Sequence, residues 1–244
     1  MIFANGAKAD FRGENNTHFA FVSYPGLALN IKIQEATFVY RNTTVDGTFM
    51  TAAYMTGRTE SNTTVKFAHS AFRANRDNWG WKMVELYCGP KHMYVFPHFT
   101  RHCDDFHVSV DVSSSRVQFK QWKFEFRTNK VFRRKNGTEH RLDVKLNGPK
   151  TPVSHGILGQ SFNTNEHVPN GKQDVYPTNS VQRFRTSAQA EGSIEGDHTD
   201  YIVKDPFDVH FKFGRFDGEL DTEETFEHVD AGAVEMYNDE DVDE

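Results

Sequence analysis

Leu27-Ala28-Leu29-Asn30-Ile31-Lys32-Ile33 sets an apolar side chain at every second position, with Ala, Asn and Lys between them. Successive side chains on a strand point to opposite faces, so this is the pattern of a strand with one buried face. The same alternation returns late in the chain, where Phe207, Val209, Phe211 and Phe213 are separated by Asp208, His210 and Lys212. Working outward from these two stretches, further strands are expected at 19–22, 37–40, 49–56, 65–72, 83–87, 93–96, 106–112, 117–126 and 141–146. Turns are expected at Tyr24-Pro25-Gly26, Val45-Asp46-Gly47-Thr48 and Asn147-Gly148-Pro149, whose Pro-Gly, Asp-Gly and Asn-Gly pairs favour chain reversal. Between 117 and 126 the apolar residues move from odd positions (Val117, Phe119) to even ones (Trp122, Phe124, Phe126). A change of phase inside one strand predicts a β-bulge near Lys120 and Gln121.

Many short strands with turns between them, and no helical period, predict an all-β fold: an antiparallel, multi-stranded, sandwich-like module. Composition agrees. The chain carries 22 Phe and is 14% aromatic, and large aromatics suit a pleated, half-buried surface. At 244 residues it is long enough for one large β domain with a real core. The expected layout is a β-rich core over 1–162, a polar loop or linker over 163–200, a returning strand of the same domain over 201–216, and an acidic tail over 217–244. That tail holds thirteen of the 34 acids and no Lys or Arg, leaving 21 acids against 28 bases in residues 1–216. The bases are scattered rather than gathered on one element, which argues against nucleic acid as a partner. No stretch approaches the ~18 apolar residues of a membrane span, and the first residues lack the basic and apolar regions of a signal peptide.

Four sequons occur, at Asn15, Asn42, Asn62 and Asn136. Each accepts a glycan only on a secretory route, so together they point to an extracellular or cell-surface location. Cys88 and Cys103 are the only cysteines, and they are read either as a disulfide or as two buried thiols, according to the redox state of the compartment. His92, His98, His102 and His107 fall near Cys103, Asp104 and Asp105, residue types that zinc takes. Their spacing fits no zinc signature, so they are read as surface or turn residues. The chain has no Gly-rich phosphate loop and no nucleophile elbow. Trp79 and Trp81 sit among Asn75, Arg76, Asp77, Asn78 and Gly80, which makes them the candidate ligand-binding aromatics; Trp122 and the phenylalanines are read as core.

Two segments carry a family resemblance. Asp10-Phe11-Arg12-Gly13, followed by a hairpin, resembles the opening of von Willebrand factor type D modules and of the root-cap-like proteins related to them. His155-Gly156-Ile157-Leu158-Gly159-Gln160-Ser161-Phe162-Asn163 resembles the Gly-Leu segment near the end of those modules, closest to the root-cap-like branch. The resemblance spans roughly residues 5–165. It implies a β-rich extracellular module with a structural or adhesive role and no catalysis. Where the family has cysteines this chain has His155 and Leu158, so that disulfide framework is missing. Where the family's calcium site begins with Asp this chain has Arg12. Asp10, Asn163, Asn165 and Glu166 are left as hard oxygen ligands, so calcium is allowed and no cofactor is required.

The sequence thus predicts a non-catalytic structural or adhesive module whose partners are matrix proteins, polysaccharides or further copies of the chain. The alternative is a carbohydrate-binding or carbohydrate-cleaving β-sandwich. A third reading, an intracellular assembly protein, would leave the sequons bare and the cysteines reduced.

Overall fold

Pro25 and Gly26 reverse the chain between β1 (Thr17–Tyr24) and β2 (Leu27–Tyr40), with Gly26 at a φ of 67°. From there a meander runs through β3 (Thr43–Arg58), β4 (Thr64–Ser70), β5 (Val84–Cys88) and β6 (Lys91–Val95). These six strands pair antiparallel in chain order and make the first sheet. The chain then crosses to a second meander, β7 (Thr100–Cys103), β8 (Phe106–Val110), β9 (Ser114–Phe119), β10 (Trp122–Arg133) and β11 (Gly137–Pro149). Two short strands join the first sheet late: β12 (Phe184–Arg185) runs parallel to β3, and β13 (Ile202–Val203) antiparallel to β1. β14 (His228–Ala233) closes the second sheet against β11. The computed structural model describes residues 1–40, 42–71, 84–133, 137–177, 183–219 and 227–233, with the side chains of 130–139 left aside. Among the described residues no helix is long and apolar enough to cross a membrane.

The two antiparallel sheets pack face to face over one aromatic interlayer, the all-β sandwich-like build expected. Phe67 of the first sheet stacks on Phe126 of the second at 5.4 Å, Phe106 meets Phe119 at 5.0 Å, and Tyr24 meets Trp122 edge-on at 5.7 Å. Trp122 is fully buried. Its ring lies so close over β11 that a Cβ added at Gly148 would sit 2.3 Å from it, so the expected Asn147–Gly148 turn is instead strand, with Gly148 paired to Val229. Burying a Phe or Trp side chain is worth on the order of 2–3 kcal/mol, so this layer supplies much of the driving force. The disulfide Cys88–Cys103 ties β5 to β7 beside the crossover between the sheets and closes a separation of 15 residues. In the chain-entropy model such a loop contributes about 3 kcal/mol.

Five further expectations from the sequence are corrected. The phase change near Lys120 and Gln121 is a two-residue hairpin, not a bulge. Phe119 and Trp122 pair directly across it, so both enter the core although their positions have opposite parity. Lys120 takes a φ of 53° and its Nζ donates to the Pro25 carbonyl at 2.9 Å. Asp46 and Gly47 lie inside β3, opposite Thr37 and Ala36. Asn42, at a φ of 63°, takes part in the reversal instead. Asp46 is held there by Arg183, whose guanidinium keeps its carboxyl below the usual carboxylate range, and Gly47 leaves room for the Phe38 ring.

The expected linker over 163–200 is a strap laced to the amino-terminal residues. The Asp10 amide donates to the Lys172 carbonyl, the Arg12 amide to that of Ala188, and the Ala190 amide to that of Asp10. The expected strand over 207–213 is irregular. Asn30 Nδ2 donates to the carbonyls of Pro206 and Asp208, and Thr56 Oγ1 to that of Phe207. Side chains on the outer face of the first sheet therefore bind this backbone, which buries Asn30 there while Leu29 and Ile31 are buried in the core on the other face. Residues 228–233, expected in the acidic tail, form β14 because Ala231 and Ala233 bury on one side; 220–226 and 234–244 lie outside the described residues.

His69 of β4 is fully buried between the sheets. Its Nδ1 lies 2.7 Å from Ser115 Oγ and its Nε2 3.0 Å from Thr128 Oγ1. Burial pushes its pKa down to about 3, so the unfolded chain takes up a proton below pH 6.5 that the folded protein refuses. Stability from this group is complete above pH 6.5 and is lost as pH falls towards 3, by up to about 1.4 kcal/mol per pH unit. His69→Gln is expected to flatten the fall in unfolding free energy between pH 6.5 and 5 relative to wild type, as measured by urea titration. Parallel profiles for the two proteins would show that His69 is not the group responsible.

Candidate functional site

The Gly-Leu segment lies against β1. The backbones of His155 and Ser23 exchange hydrogen bonds of 2.8 and 2.6 Å, and the amides of Ile157 and Leu158 donate to the Ala20 and Phe21 carbonyls at 3.0 and 2.9 Å. Gly156 is required for this approach: it has a φ of 105°, and a Cβ on it would meet the Phe21 backbone at 2.7 Å. Phe11, from the other segment of the resemblance, packs edge-on against Phe19 and Phe21. Two segments some 145 residues apart therefore seat on the same strand.

Around His155 the strap brings charged groups together. The imidazole is wholly buried and stacks on Phe213 at 4.8 Å and Tyr201 at 6.1 Å. Its Nε2 lies 2.9 Å from Glu195 Oε2. Gln160 Oε1 accepts from the Glu195 amide at 3.0 Å, and Tyr201 Oη donates to the Glu195 carbonyl at 2.8 Å. Glu166 joins them, so that one ligand-type atom from each of His155, Glu166 and Glu195 lies within 4.8 Å of the others. Burial, then the charge of Glu195, raises the Glu166 pKa, whereas burial lowers that of His155 against the pull of Glu195. Sequence reasoning named Glu166 but missed His155 and Glu195, whose partnership depends on how the strap folds back.

The arrangement does not fit a metal ion. His155 Nδ1 accepts a 2.8 Å hydrogen bond from the Gly156 amide, so the ring proton is on Nε2, where it donates to Glu195. A cation at Nε2 would leave the ring with no proton on either nitrogen, although a ligating neutral imidazole keeps one on its other nitrogen. The oxygen set expected for calcium does not assemble either. Asn163 turns its Nδ2 to Glu166 Oε1 at 3.0 Å and its Oδ1 to the Asn165 amide at 2.9 Å. Asp10 is committed elsewhere. Its Oδ2 accepts from the Asp174 amide at 2.8 Å, beside a cleft of about 300 Å³ lined also by Phe11, Phe38, Thr48 and Tyr176. Arg12, at the position where the family has an acid, is a strut: its Nη1 donates to the carbonyls of Asp46 and Thr186 at 2.7 and 3.0 Å.

Of the other candidates, Asn15, Asn42 and Asn62 are exposed. Trp79, Trp81 and Asn136 lie outside the described residues. The four histidines do not converge: His92 stacks on Tyr87 at 4.3 Å, His98 lies 3.8 Å from Asp111, and the rings of His102 and His107 are 6.2 Å apart. No protein-family model matches the chain, nor does any curated protein or solved structure.

Because its pKa is raised, ionised Glu166 weakens the fold; the penalty grows as pH rises above the ordinary 4.5 and is absent well below it. Glu166→Gln keeps the oxygen that accepts from Asn163. Because Glu166 is exposed and solvent screens it, the substitution should raise Tm by no more than ~1 °C at pH 7 and leave it unchanged at pH 4, while added calcium or a chelator leaves the Tm of wild type in place. A loss of stability at pH 7, or a rise of wild-type Tm with calcium, would restore an ion-holding role.

Proposed function

We propose that this chain is a non-catalytic extracellular or cell-surface module of type-D-like build, with a structural or adhesive role among matrix components. The observation that carries the reading is the position of the Cys88–Cys103 bridge, which clips one sheet to the other beside the crossover. Such a covalent clip persists in an oxidising compartment. Two further features support it. The sequon residues Asn15, Asn42 and Asn62 are exposed to solvent, with Asn42 and Asn62 in left-handed backbone. The two resembling segments are packed on β1, one through Phe11 and the other through the backbone at 155–158. The His155–Glu195–Glu166 group fixes the strap to the core in this reading and carries no reaction.

The experiment is an intact mass of the protein purified from its native source, before and after reduction. The expected result is glycan mass on the sequons and a gain of two hydrogens on reduction. A bare chain with two free thiols would overturn the reading and favour an intracellular assembly protein.

A further inference from the structure

The two sheets differ in what covers their outer faces. The first is overlaid by the backbone at 206–208, held by Asn30 and Thr56. On the second, burial alternates residue by residue: in β9 Arg116 and Gln118 are exposed while Val117 and Phe119 are buried, and in β10 Lys123 and Arg127 are exposed while Phe124 and Phe126 are buried. Strand register lines up the outward side chains. One row crosses all six strands as His102, His107, Gln118, Lys123, Asn147 and Asp230. The next row, two residues along, runs Thr100, Ser109, Arg116, Glu125 and Lys145, ending at Gly232. A depression of about 630 Å³ lies over both rows, and six strands make it on the order of 24 Å across.

The charges are unevenly satisfied. Glu125 lies 3.8 Å from Arg116, and Asp230 accepts from Asn147 at 3.0 Å. Among the described residues no carboxylate pairs with Lys123, Arg127 or Lys145. The rows offer amides, hydroxyls and imidazoles as both donors and acceptors, around unpaired cations. Neither row contains Phe, Tyr or Trp, the side chains that best stack a nucleobase or the apolar face of a neutral sugar.

We propose that the outer face of the second sheet binds an acidic polysaccharide, the strand rows hydrogen-bonding its hydroxyls while Lys123, Arg127 and Lys145 meet its carboxylates. This rests on the extracellular reading above and names the partner. The test is retention of the full-length protein on immobilised alginate, a polyuronate, against immobilised neutral dextran. Wild type should be retained on alginate at low salt, released as salt rises, and pass through dextran. Lys123→Glu with Lys145→Glu should weaken alginate binding at least ~10-fold. Lys8→Glu with Lys204→Glu makes the same change of net charge at exposed positions off this face, and should stay within about 3-fold of wild type.

Failure of wild type to bind alginate, equal binding to dextran, or equal weakening by the two double variants would overturn the proposal. So would displacement from alginate by duplex DNA at lower charge concentration than by free alginate, which would make nucleic acid the better partner. A glycosylated, bridged protein that ignores alginate would sink this inference and leave the extracellular reading standing; a bare, reduced protein would sink that reading whatever the column shows.

Discussion

A β-sheet has two faces, and an exposed apolar face is costly; the arrangement of this protein follows from how each face is covered. The inner faces cover each other through a layer in which Phe67, Phe106, Phe119, Trp122 and Phe126 interlock. Aromatic pairs add about 0.5–1.5 kcal/mol beyond their buried area, and the layer tolerates little intrusion, as the contact of Gly148 with Trp122 requires. The outer face of the first sheet carries buried Asn30 and Thr56, and the donors Asn30 Nδ2 and Thr56 Oγ1 find their acceptors in the backbone near 206–208 that lies over them. The described residues of the strap over 163–219 are therefore part of the fold, although most of them are neither strand nor helix.

Much of the architecture was legible because alternation reports burial directly. The stretch from Leu27 to Ile33 is strand, and Phe106, Val108 and Val110 point inward from β8 as their spacing implies. The misreadings share one cause: alternation does not reveal what the backbone is bonded to. Phe207, Val209, Phe211 and Phe213 alternate as well as any strand, yet the carbonyls of Phe207 and Asp208 are taken by side chains of the first sheet. Asp46-Gly47 has turn chemistry but lies inside β3, where Arg183 binds Asp46 from a distant part of the chain and Phe38 of neighbouring β2 fills the space over Gly47. The phase shift at Lys120 was a real signal given the wrong geometry.

The candidate site shows the same division. The family resemblance pointed to Asn163, Asn165 and Glu166, which do interact. It also joined Asp10 to them, and Asp10 binds Asp174 instead. His155 and Glu195 could not be paired from spacing, since they lie 40 positions apart in the chain. The decisive detail, the Gly156 amide that fixes the imidazole proton, is a matter of backbone direction that no residue pattern encodes.

The disulfide has a mechanical consequence. Along the edge where β6 passes to β7, the layers are joined twice through covalent bonds, once by the chain and once by Cys88–Cys103. Among the described residues, the far strand of the second sheet, β14, is held by hydrogen bonds to β11, by a two-bond bridge between Gly232 and Ile2 and by the burial of Ala231 and Ala233, with no covalent tie of the kind that Cys88–Cys103 supplies. Local opening begins where least holds. The edge at β6 and β7 is thus the doubly bonded spine of the sandwich, where fluctuations that expose the aromatic layer are most restrained.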